Sequence, residues 1–111
     1  MKPSEITHWE TETENRAAAA VAFFRQGYNC AQSVVMAYSD LLPVEKEVAE
    51  KISLPFGRGL AGYREVCGCV SAMSLLVGML LQYQQQSTSN KDYFAMVQTM
   101  GEKFREENGE I

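Results

Sequence analysis

Cys30, Cys67 and Cys69 are the residues of this chain whose types and positions concentrate chemistry. Sulfur can cycle between thiol and disulfide, ligate a metal as thiolate, or fill a core as a small apolar group. Cys30 follows Asn29, a good N-cap, so the pattern places it at the first position of a helix. Cys67 also stands where a helix begins, after a glycine-rich stretch. Free N–H groups and partial positive charge at a helix start stabilise a thiolate and lower its pKa. A thiol of pKa about 8.5 is only about 3% ionised at pH 7, and one unit of depression raises that to about 25%. Gly68 beside Cys67 removes bulk and would let another sulfur or a substrate approach. Free cysteines are also commonly buried, so inert core filling stands beside reactivity as a reading of position alone.

Two other features invite a site. Gly57-Arg58-Gly59-Leu60-Ala61-Gly62 spells GxGxxG, which in a dinucleotide fold lets the backbone approach a pyrophosphate between a strand and a helix. No strand pattern precedes it here, so it reads as a glycine-rich turn whose backbone N–H groups, beside Arg58, could hold a small anion. His8 is the single histidine and could join the three cysteines in a Cys3His zinc site. The paired CxxC spacing of zinc modules is missing, and His8 lies in a terminus expected to fray, so a surface histidine is the better reading. A hydrolase built on Ser-His-Asp or Cys-His would need this same histidine and ranks low.

These residues must be positioned by the rest of a chain of 111 residues, enough for one domain, 1–111, with 1–10 expected as a flexible terminus. A chain of this length buries roughly 65% of the surface its unfolded form exposes, so it needs no staples. The formal charge of −4 comes with no run of Lys and Arg, which argues against nucleic acid or an anionic membrane surface as partner. The opening MKPSEITHWETETENR has no apolar h-region and does not read as a secretory signal. The apolar stretch Val66 to Leu81 is interrupted by Gly68, Ser71, Ser74 and Gly78 and falls short of a membrane span, so it reads as a buried central helix. An odd, low cysteine count without a signal points to the cytoplasm and not to a disulfide scaffold.

Five helices account for the pattern. The first runs from about Thr11 or Thr13 to Gln26, with Ala17, Ala20, Val21 and Phe24 as its apolar stripe and Gly27 as a left-handed stop. The second starts at Cys30, carries Ala31, Val34, Val35 and Tyr38, and ends near Leu41. Pro43 opens the third, with Val44, Val48 and Ile52 inward and the charged run from Glu45 to Lys51 solvated. The fourth extends from about Cys67 to Gln84, and the polar tract from Gln84 to Asn90 is a loop. A capping-box-like Ser89-Asn90-Lys91-Asp92 begins the fifth, whose Tyr93, Val97, Met100 and Phe104 form a seam ended by Asn108-Gly109. Met73, Met79, Met96 and Met100 read as gap-filling core residues.

Phe24-Arg25-Gln26-Gly27-Tyr28-Asn29-Cys30-Ala31-Gln32 resembles the opening motif of the C-GCAxxG-C-C family of redox-active proteins. The glycine-rich loop running into Cys67-Gly68 resembles that family's Cys-Gly-Ala-x-x-Gly box, and Phe104 to Ile111 resembles the segment before its later cysteines. The resemblance spans about residues 16 to 111. In the box, Cys69 replaces the usual Ala and Ala72 the final Gly, and the two later cysteines are not in this sequence. The resemblance implies a small helical protein in which Cys30 and Cys67 carry over and Cys69 is an addition.

The expectation is therefore an all-α bundle of about five helices around a central apolar helix. Cys30 and Cys67 would meet near two helix N-termini and cycle between dithiol and disulfide, with Cys69 as resolving or alternative partner. A cysteine-ligated metal or iron–sulfur site, completed across a homodimer because three sulfurs are one short of four, stays open. So does a helical interaction module with inert cysteines. The sequence identifies no cofactor, redox partner or substrate.

Overall fold

A computed structural model describes residues 7–82 and 90–110. Among these residues there are five α-helices: α1 (Trp9–Arg25), α2 (Cys30–Met36), α3 (Lys46–Ser53), α4 (Gly68–Val77) and α5 (Asn90–Asn108). Short 3-10 turns at Ser39–Leu41 and Leu54–Phe56 flank α3, and α4 runs on into a π-helical turn, Gly78–Gln82. Among the described residues there is no strand, so the GxGxxG run is a turn. No helix is long and apolar enough to cross a membrane among these residues. The expected polar loop from Gln84 to Ser89 and the cap of α5 at Ser89 lie outside the described residues.

The α1–α2 junction follows from three residues. Gly27, at φ +106°, takes the left-handed position after α1. Its N–H donates to Phe24 O at 3.1 Å and the N–H of Tyr28 to Phe23 O at 3.3 Å, which closes the helix end. The Phe23 and Tyr28 rings then meet edge to face, 5.9 Å apart. The chain is turned within two residues, and α2 starts with Asn29 as its cap.

At the centre, α2 packs against α1, α3 and α4, and the apolar α4 lies between α2 and α5. Ala31 and Ala72, both fully buried, form the core with Val35 and Ala49, and Val34, Phe56, Leu75 and Met79 close around them. Small residues at the contact let the helix backbones come near, which is what brings the starts of α2 and α4 together.

Two expected stripes face the other way. On α1, Val21 and Phe24 are exposed while Arg16 is buried. Its guanidinium donates to Ala37 O at 2.9 Å, to both Asp40 carboxylate oxygens at 2.5 and 3.0 Å, and to Glu12 at 3.0 Å. It also lies 5.1 Å from the centre of the Tyr38 ring. This clamp places a cation at the end of α2, where carbonyls lack helical partners, and it decides which face of α1 turns inward. On α3, Val48 and Ile52 are exposed, and Ala49 and Ser53 are buried in their place. The Gln32 amide donates to Glu50 O at 3.1 Å, an approach that a row of Val and Ile would hold apart. Met96 is exposed as well, whereas Tyr93 is buried and Val97, Met100 and Phe104 are partly so. The first helix begins at Trp9, ahead of either expected cap, with no side-chain bond from His8.

Candidate functional site

Asn29 and Gln32 hold the start of α2. The Asn29 carboxamide oxygen accepts from the Gln32 N–H at 2.9 Å, and the Gln32 carboxamide oxygen accepts from the Asn29 N–H at 3.1 Å. This reciprocal pair satisfies two donors that the helix itself leaves unused. The remaining amide protons reach outward, from Asn29 to Leu54 O at 3.0 Å and from Gln32 to Glu50 O. Ser33 Oγ donates to Asn29 O at 2.8 Å. Every polar group flanking Cys30 is thus tied to backbone, and Ala31 is core.

Two glycines admit this corner. A Cβ on Gly57 would fall on the Asn29 side chain, and one on Gly68 would fall on the Cys30 sulfur. The same Cβ on Gly68 would lie 3.0 Å from Phe56 O and 3.1 Å from the Ala31 N. Cys30 therefore sits directly over the first residue of α4. The sequence marks Gly68 as small; that the sulfur it admits is that of Cys30 comes from the fold.

Cys67 is the N-cap of α4 and uses its carbonyl, which accepts from Val70 N at 2.9 Å and Ser71 N at 3.1 Å, while its side chain makes no cap bond. Cys69 stands one residue inside the helix, near enough to Cys67 and Cys30 for their thiols to act on its own. Burial, then the negative charge a thiolate on Cys67 or Cys30 would carry, pushes the Cys69 thiol up to about 12. All three cysteines are half-buried free thiols, and no two sulfurs are at bonding distance. Two belong to the start of α4 and one to α2, whose sulfur lies over Gly68 between them in sequence, so the fold gathers the three in one corner. Among the described residues no three His, Cys, Asp or Glu side chains are arranged to hold a metal ion. His8 is exposed at the start of α1.

The loop from Gly57 to Val66 forms the wall beside Cys67. Arg58, Gly59, Leu60, Ala61 and Gly62 all have positive φ, between +50° and +87°, one turn of left-handed backbone. Its N–H groups from Leu60 to Glu65 are consumed within it or by Pro55 and Phe56 carbonyls. With the Gly57 N–H bonded to Leu54 O as well, four of the six N–H groups of the Gly57–Gly62 run are taken up by the protein's own carbonyls, which weighs against the expected backbone anion cradle.

A family model described as "Putative redox-active protein (C_GCAxxG_C_C)" matches residues 28–111, about three quarters of the chain. The chain belongs to the C_GCAxxG_C_C family. The match opens at Tyr28, one residue before the Asn29 cap, and takes in all three cysteines. No curated protein and no solved structure matches the chain.

Proposed function

We propose that this chain is a thiol–disulfide exchange protein whose working sulfurs are Cys30, Cys67 and Cys69. The observation that carries the reading is the Cys30 sulfur lying over Gly68, the residue between Cys67 and Cys69, so that α2 sets one thiol against the helix start that carries the other two. Cys30 and Cys67 form the disulfide in this reading, and Cys69 is the resolving or alternative partner. Two thiols give up two electrons and two protons to an acceptor disulfide, which leaves as two thiols. Formation of the bond requires a rotation of the sulfurs, since they rest apart in the reduced protein. Such a protein suits a compartment that returns it to the dithiol form, as the cytoplasm does.

Free-thiol counting on the full chain tests this. The reduced protein should titrate three thiols, and after diamide treatment one, with the loss of two hydrogens in the intact mass. Three thiols persisting under conditions that oxidise dithiothreitol would leave the cysteines as core filling. Stoichiometric zinc or iron in the purified protein would instead favour a thiolate-ligated metal.

A further inference from the structure

Cys67 lines a cleft of about 490 Å³ between the left-handed loop and the end of α5. Arg58, Arg64 and Glu65 contribute from the loop, and Phe104, Asn108 and Glu110 from α5 and the residues after it. The Arg64 N–H donates to Arg58 O at 3.2 Å and that of Glu65 to Gly59 O at 3.0 Å, so the two arginines rise from adjacent backbone on one wall. Neither arginine and neither glutamate is ion-paired with a described residue. Four charges, two of each sign, thus surround one sulfur beside one aromatic ring.

We infer that this cleft takes a small disulfide bearing amino-acid groups, whose carboxylates meet Arg58 and Arg64 and whose ammonium groups meet Glu65 and Glu110, and that Cys67 is the thiol that attacks it. The inference rests on the thiol-exchange reading and names its substrate class. Guanidinium matches carboxylate by paired hydrogen bonds, and the acids reject neither end of a zwitterion. A dianionic or purely cationic disulfide leaves one pair of charges facing its own sign. In the reaction, the Cys67 thiolate attacks one sulfur of RS–SR, the S–S bond breaks, a Cys67–S–SR bond forms, and RS⁻ leaves to take up a proton. Attack on the Cys67 sulfur by Cys30 or Cys69 then releases the second RS⁻, so two electrons pass from the protein to the substrate. The left-handed loop has a purpose here, since strained backbone persists where surrounding structure holds it and places side chains for function.

The test uses the full reduced chain with three disulfides: L-cystine, cystamine, which lacks the carboxylates, and bis(2-hydroxyethyl) disulfide, which lacks all charge. Each rate is taken relative to that of a free thiol with the same disulfide, so that leaving-group acidity cancels. The adducted cysteine is located by peptide mapping. Cystine should react about tenfold faster than either of the others by this measure, at Cys67. Arg58→Gln/Arg64→Gln should lose the preference, its rate with cystine falling to about the same multiple of the free-thiol rate as its rate with the uncharged disulfide, with circular dichroism as the control for folding. Equal relative rates in the wild-type protein, or first adducts at Cys30 or Cys69, would overturn the substrate class and leave thiol exchange standing. No reaction with any of the three would overturn thiol exchange as well.

Discussion

Gly68→Ala probes the contact on which the thiol cluster depends. The new methyl group would fall on the Cys30 sulfur and press on Phe56 O and the Ala31 N at 3.0 and 3.1 Å. Overpacking of this kind costs about 1–3 kcal/mol. Alanine regains up to about 0.5–1 kcal/mol over glycine through lower unfolded-state entropy. The net expectation is a loss of about 1–2 kcal/mol. In a Cys30→Ala background the sulfur is gone and only the two backbone contacts remain, which need give by a few tenths of an ångström. The same substitution should then cost about 1 kcal/mol less, a coupling of the size found between touching residues. Urea unfolding of the four proteins under reductant, followed by circular dichroism, reads the cycle, and about 1 kcal/mol corresponds to roughly 4 °C in Tm. Equal costs in the two backgrounds, within about 0.3 kcal/mol, would show that Cys30 does not sit over α4 and would refute the convergence of the thiols.

Other parts of the structure give their own tests. Ala61 is exposed at φ +50°, so Ala61→Gly should stabilise by about 0.5–1 kcal/mol in thermal melts, the relief of left-handed strain exceeding the entropy glycine adds to the unfolded chain. The hydrogen bond to Arg16 holds the Asp40 carboxyl below its usual range. Its stabilisation is full above the ordinary carboxylate pKa of about 4 and fades as pH falls through the lowered value. Asp40→Asn should therefore cost about 1 kcal/mol at pH 7, reduced from a buried pair because the carboxylate is half exposed, and wild type and variant should converge in acid. With its thiol pushed up to about 12, Cys69 is only about 0.01% thiolate at pH 8, and iodoacetamide labelling read by mass spectrometry should find it the slowest of the three. A Cys30–Cys67 disulfide would close a loop of about 37 residues, worth roughly 4 kcal/mol if unstrained, so the oxidised protein should melt about 10 °C or more above the reduced one. A Cys69→Ala variant that cannot form a disulfide, beside a Cys30→Ala variant that can, would assign the bond to Cys67 and Cys69.

Helix content and the start of α2 were legible because they rest on local chemistry. The Asn29 cap, the left-handed Gly27 and the helical spacing of Tyr93, Val97 and Met100 involve residues within one or two turns of each other. The placement of Cys30 at a helix start and Cys67 at another followed from the same signals.

Which faces turn inward was decided elsewhere in the chain. Four consecutive alanines give α1 an apolar surface on nearly every side, so its own sequence does not choose between the Val21–Phe24 face and the Arg16–Phe23 face. The choice is made by Asp40 and the open carbonyl of Ala37, which lie 24 and 21 residues away from Arg16. Ala49 and Ser53 displaced Val48 and Ile52 for a similar reason, since Gln32 must reach a backbone oxygen of α3. The cleft at Cys67 depends on a left-handed turn containing Leu60 and Ala61, residues that carry no sequence signal for positive φ. The sequence by itself therefore determined the helices and the three sulfurs. Their meeting over Gly68, and the two arginines set beside one of them, required contacts between segments far apart in the chain, which only tertiary packing supplies.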